Sequence, residues 1–153
     1  GEARRAQLRA LIDTDPAWRA LPLQLLPGQS HTALAACDQT LIASGTATLE
    51  AALFKRPMVI AYRLAPLSYR MMKNKAYQPW FGLPNILAGE FLVPEFIQDA
   101  ATPQALAEAI VRQHDDASGR ERLVARFAEM HHVLAQGCAR RVAETVLDDL
   151  SRA

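Results

Sequence analysis

Leu41-Ile42-Ala43-Ser44-Gly45-Thr46-Ala47-Thr48-Leu49-Glu50 constrains the fold of this chain more than any other stretch. A short apolar run stops at a small, glycine-containing corner and resumes with helical periodicity, the pattern of a strand, a tight turn and a helix. In that arrangement the first amides of the helix have no partner within the helix and lie at the positive end of its dipole. Such a terminus suits an anion, a phosphate above all. Thr46 and Glu50 stand four residues apart and share one helix face. A carboxylate one turn above a phosphate-sized site is placed to accept hydrogen bonds from a sugar diol, so the stretch sketches a nucleotide pocket. The same residues also fit a plain strand–helix corner, with small side chains serving packing and Glu50 on a solvated face.

Strand and helix alternate on both sides of this corner. Leu21–Leu26 is short and apolar and ends at Pro27-Gly28, which predicts a buried strand and its turn. A helix capped by Ser30 runs to Cys37, and Gln39–Ala43 forms the second strand. Pro57–Tyr62, nearly all apolar, predicts a third strand buried on both faces, as in a parallel sheet. The expectation is half of an open α/β sheet with its ligand at the carboxyl ends of the strands. Gln29 and Ser30 follow the first strand and belong on the same edge as Gly45. Ser30 is accounted for as a helix cap, whereas Gln29 has no such local reason to be there. Downstream, Pro94–Gln98 reads as one helical turn, and Thr102-Pro103 opens a helix to about His114. Ser118–Ala135 and Cys138–Leu150 are helical as well, as is Glu2–Asp13 near the start. Three strands make a small sheet, and the chain opens on Gly1 directly in charged, helical sequence. It reads as a piece of something longer, truncated at its N-terminus.

The 153 residues, half of them hydrophobic and 22% charged, suit one globular domain. No run approaches the ~20 apolar residues of a membrane span. Cys37 and Cys138 lack a CxxC spacing and read as free thiols. His31, His114, His131 and His132 have no metal-binding spacing and read as surface residues, so neither a metal nor a cofactor is expected. No GxSxG nucleophile elbow occurs. The net charge is +1, but Ala51–Gly89 contains no acid while carrying Lys55, Arg56, Arg63, Arg70, Lys73 and Lys75. This zone favours an anionic ligand or an anionic membrane surface, and nucleic acid is not an expected partner. Within it, residues 63–81 interleave Arg63, Arg70, Met71, Lys73 and Trp80. They fit either a helix packed on its own sheet or an interfacial surface meeting lipid headgroups and acyl chains. Asn85, after Pro84 in an aromatic- and proline-rich loop, fits either a turn residue or a ligand contact.

Three blocks carry a resemblance. Ser44-Gly45-Thr46-Ala47-Thr48-Leu49-Glu50-Ala51-Ala52-Leu53, then Pro57–Arg63, then Leu83-Pro84-Asn85-Ile86-Leu87-Ala88-Gly89 resemble, in that order, the lipid-A-disaccharide synthases. Gly28-Gln29-Ser30 and Cys37-Asp38 fit the same family. The resemblance implies the C-terminal, Rossmann-like half of a GT-B glycosyltransferase. It also implies metal-free, inverting transfer of diacylglucosamine from UDP-diacylglucosamine to lipid X (diacylglucosamine 1-phosphate), giving the lipid A disaccharide and UDP. Carried over residue by residue, Glu50 holds the UDP ribose, and the backbone at Ser44, Gly45 and Thr46 holds the diphosphate. Gln29 and Asn85 add donor contacts. The implied location is peripheral, on the cytoplasmic face of a Gram-negative inner membrane, with a homodimer among the implied assemblies. The family's N-terminal acceptor domain, with its acidic general base, and its Gly- and Arg-containing phosphate loop have no counterpart here. The chain is therefore expected to be inactive by itself. Two alternatives stay open: another GT-B UDP-sugar domain, against which the Leu83–Gly89 block speaks, and a non-catalytic membrane or protein interaction module.

Overall fold

The computed structural model describes residues 2–65, 67, 69 and 78–151. The chain divides into two compact units, Gly1–Cys37 and Asp38–Ala153. Among its described residues the first holds α1 (Glu2–Asp13), α2 (Pro16–Arg19) and α3 (Ser30–Ala36). Asp15 caps α2 by accepting from Ala17 N at 2.8 Å, and Pro16 opens that helix, where its missing N–H costs nothing. The strand expected at Leu21–Leu26 is not there. Pro22 removes one ladder donor, a strand exists only by pairing, and Leu21, Leu23 and Leu26 are all substantially exposed. Ser30 is the first helical residue of α3, and the capping position falls to Gln29.

The second unit is an α/β layer structure. Its sheet has the order β1 (Thr40–Ala43), β2 (Met58–Tyr62), β3 (Glu95–Ile97), with parallel pairing throughout. Helix α4 (Thr46–Leu53) crosses from β1 to β2, and α5 (Leu83–Ala88) precedes β3. A 3-10 turn (Gln98–Ala100) leads to α6 (Pro103–Asp115), α7 (Ala117–Leu134) and α8 (Cys138–Ser151). The central strand is buried as its composition predicts: Met58, Val59 and Ile60 are each 0% exposed. Burial of side chains of this size contributes about 1.5–3 kcal/mol apiece. Ala51 and Ala52 let α4 lie close to the sheet, and fully buried Phe127 fills the space from α7.

The turn expected at Pro94–Gln98 is instead mostly strand. Ile60 pairs with Glu95 and Tyr62 with Ile97, and Ile60 N donates to Pro94 O at 2.9 Å. Five residues are too few for periodicity to separate a turn of helix from a strand, and the exposed edge of β2 decides it. Asn85, expected in irregular backbone, lies in α5, which has Pro84 in its first turn and ends at left-handed Gly89 (φ 69°). The capped helix at Thr102-Pro103 forms as expected, with Thr102 Oγ1 accepting from Ala105 N at 3.2 Å.

Candidate functional site: the corner between β1 and α4

Ala43 ends β1 in register with Ala61 of β2, which pairs with Phe96 of β3. Ser44, Gly45 and Thr46 thus leave the sheet at the carboxyl edge of three parallel strands, where ligands of open α/β sheets bind. Gly45 has φ 144° and ψ −167°, a region open essentially to glycine alone. It is the capping residue of α4, and no side chain caps that helix. The amide end of α4 is therefore not spent on a side-chain cap, and Thr46 and Ala47 are exposed. From below, fully buried Thr48 returns its hydroxyl to Gly45 O at 2.7 Å. Glu50 sits half-buried one turn further along α4. An outward-facing amide terminus with a carboxylate one turn above can receive a phosphate and a diol together.

A second wall comes from the segment before α5. Ser44 Oγ donates to Phe81 O at 3.0 Å. The carboxylate of Glu95 accepts from Phe81 N at 2.9 Å, from Gly82 N at 2.8 Å and from Asn85 Nδ2 at 2.7 Å. Asn85, fully buried, also donates to Val93 O at 2.9 Å and accepts from Val93 N at 3.0 Å. Both functional ends of its amide are thus committed inside the protein, and Asn85 serves the site by fixing the chain around it. Gly82 allows the close approach, because a Cβ there would run into Ile60 Cδ1 and the Glu95 carboxylate. Glu95 escapes a reading of the sequence because its stretch looks helical; the alternative, a strand entering the sheet beside β2, would have placed it near Gly82.

Gln29 is exposed and belongs to the first unit, where its carbonyl accepts from Ala33 N at 3.0 Å. Arg63 follows β2 on the carboxyl edge, donating to Gln98 O at 3.2 Å and standing 3.7 Å from Asp99. Gln98 clasps the backbone of Leu64 from both sides, at 2.6 and 3.1 Å. Trp80 packs edge-on against Phe91 with ring centroids 6.2 Å apart. Arg70, Met71 and Lys73 lie outside the described residues. Among the described residues no three His, Cys, Asp or Glu side chains gather as a metal site, and no helix is long and apolar enough to cross a membrane.

Comparison with known proteins finds a family model described as lipid-A-disaccharide synthetase that matches residues 5–146. The lipid-A-disaccharide synthase of Thiobacillus denitrificans is 53% identical over 133 residues, which are 87% of this chain and 36% of that protein. The synthase of Paraburkholderia xenovorans is 51% identical over 144 residues, 94% of this chain and 36% of its own length. That of Pseudomonas aeruginosa is 52% identical over 151 residues, 98% of this chain and 38% of its own. The chain therefore spans little more than a third of the length of these curated relatives.

Proposed function

The chain belongs to the lipid-A-disaccharide synthetase family, and on that premise we propose that it is the donor-binding part of a GT-B glycosyltransferase of lipid A biosynthesis. The donor is UDP-diacylglucosamine and the acceptor lipid X. In the transfer, the bond between the anomeric carbon and the diphosphate oxygen breaks as an acceptor hydroxyl oxygen bonds that carbon from the opposite face, inverting it. UDP departs carrying the electron pair. The observation that carries this reading is the corner itself: glycine-only backbone at Gly45, an amide terminus free of side-chain caps, and Glu50 a turn above, at the carboxyl edge of a parallel sheet. Backbone at Ser44, Gly45 and Thr46 holds the diphosphate, where the helix dipole favours the charge that grows on the leaving group. Glu50 accepts from the ribose hydroxyls. Asn85 holds the site's frame.

The proton acceptor for the attacking hydroxyl lies in the acceptor-binding domain, and the enzyme works peripherally on the cytoplasmic face of the inner membrane. Arg63 and Trp80, with Arg70, Met71 and Lys73, form its contact with anionic lipid. Titrating UDP into the chain by calorimetry tests the donor site. Saturable binding is expected, and Glu50→Ala should weaken it about tenfold, the worth of a hydrogen bond to a charged group. Equal affinity in wild type and mutant would remove Glu50 from the site. Supplied with both lipid substrates, the chain alone should give no turnover; robust disaccharide formation would contradict the assignment of the base to another domain.

A further inference from the structure

We propose that Glu95 is a positioning residue for the nucleotide corner, acting through the main chain of Phe81. Residue 81 is pinned on both sides. Its N–H donates to Glu95 Oε2 at 2.9 Å, and its carbonyl accepts from Ser44 Oγ at 3.0 Å. Ser44 adjoins Gly45, so one residue of backbone joins the Glu95 carboxylate to the corner that meets the diphosphate. The proposal rests on the donor-site reading for its effect on UDP, but the pinning of residue 81 stands on geometry alone.

Glu95 is built for this task in three ways. It opens β3 opposite Ile60, the first pair of the β2–β3 register, so the sheet fixes its backbone. Its two oxygens face three donors, Phe81 N, Gly82 N and Asn85 Nδ2, which offset the cost of holding a half-buried carboxylate away from water. Asn85 is locked in turn by paired hydrogen bonds to Val93, two residues before Glu95. Gly82 completes the set, since any Cβ there would strike both the carboxylate and Ile60. A carboxylate beside a phosphate site would ordinarily repel the ligand. Here its negative charge is directed at backbone donors, at the start of α5.

Because both Glu95 oxygens accept hydrogen bonds, an amide cannot replace the acid: whichever way the substituted side chain is turned, its NH2 would face an N–H. Trp80, next to the pinned residue and stacked edge-on against Phe91, reports the position of the segment. The test uses the full chain in a Trp18→Phe background, leaving Trp80 as the single tryptophan. Glu95→Gln should keep the circular dichroism of the wild type, shift Trp80 emission and raise its quenching by acrylamide severalfold. It should weaken UDP binding about tenfold, the worth of one misplaced hydrogen bond to the diphosphate. Ser44→Ala and Glu95→Gln should be strongly non-additive in UDP affinity, because each releases the same peptide. A folded Glu95→Gln chain with unmoved Trp80 emission and quenching overturns the proposal, whatever UDP does. So does full additivity of the two substitutions. A wild-type chain that fails to bind UDP while Trp80 responds to Glu95→Gln would instead fault the donor-site reading and leave the anchor standing.

Discussion

Two glycines border the site for opposite physical reasons, and the difference is measurable. Gly45 has room around it, with nothing within 4 Å of a would-be Cβ, but its φ of 144° is closed to other residues. Gly82 has an ordinary φ of −82° but no room. Gly45→Ala should therefore cost about 1–3 kcal/mol of backbone strain, with no rescue from any neighbouring substitution. Gly82→Ala should cost a similar amount, about 1–3 kcal/mol, by overpacking. In that case Ile60→Val, which removes the Cδ1 atom in the way, should recover part of the loss. Thermal melts of the four variants check this, and simple additivity of Gly82→Ala with Ile60→Val would contradict it. Gly45 was legible in the sequence because a glycine between an apolar run and a helical one has a local explanation. Gly82 was not, since its need arises from Ile60 and Glu95, residues distant in sequence and brought together by the sheet.

At the scale of elements, what the sequence disclosed depended on whether an element carries its own signal. Helix α6 does: Thr102 caps it and Pro103 opens it, and Thr102→Ala should destabilise the protein by about 1 kcal/mol in chemical denaturation. Strand β2 does too, as an unbroken apolar run. The segment Leu21–Leu26 is apolar apart from Gln24 but contains Pro22 and gains no ladder, while Glu95–Ile97 is short and forms only because β2 offers it an edge. The cap of α7 has a pH signature. Asp116 accepts from Gly119 N at 2.8 Å and from Ser118 Oγ at 3.1 Å. Chiefly the Gly119 amide, then the Ser118 hydroxyl, hold its carboxyl below the ordinary value of 3.8. A lowered folded-state value means stability that is present above the unfolded value and lost as pH falls through the folded one. Melting from about pH 5 down to about pH 2 should show this loss, and Asp116→Asn, an uncharged cap, should lose less across the same window. Identical acid profiles would contradict the role given to Asp116.

For the molecule as a whole, the asymmetry of charge matters more than its total. The stretch from Ala51 to Gly89 is free of acids while the net charge is only +1, so attraction to anionic surfaces should be local and salt-sensitive. The chain should sediment with anionic vesicles at low salt and be released at high salt, and an absence of binding at low salt would dismiss the membrane contact. The corner after β1 is where the nucleotide is proposed to bind. Its most direct test is a ladder of ligands by calorimetry: uridine, UMP and UDP titrated into the wild-type chain and into Gly45→Ala. If the amides at the start of α4 hold the diphosphate, affinity should rise in steps from uridine to UDP, each added phosphate gaining about tenfold. Gly45→Ala should remove those gains while leaving the uridine contribution. Equal affinities across the ladder, or gains that survive Gly45→Ala in a folded chain, would contradict the account.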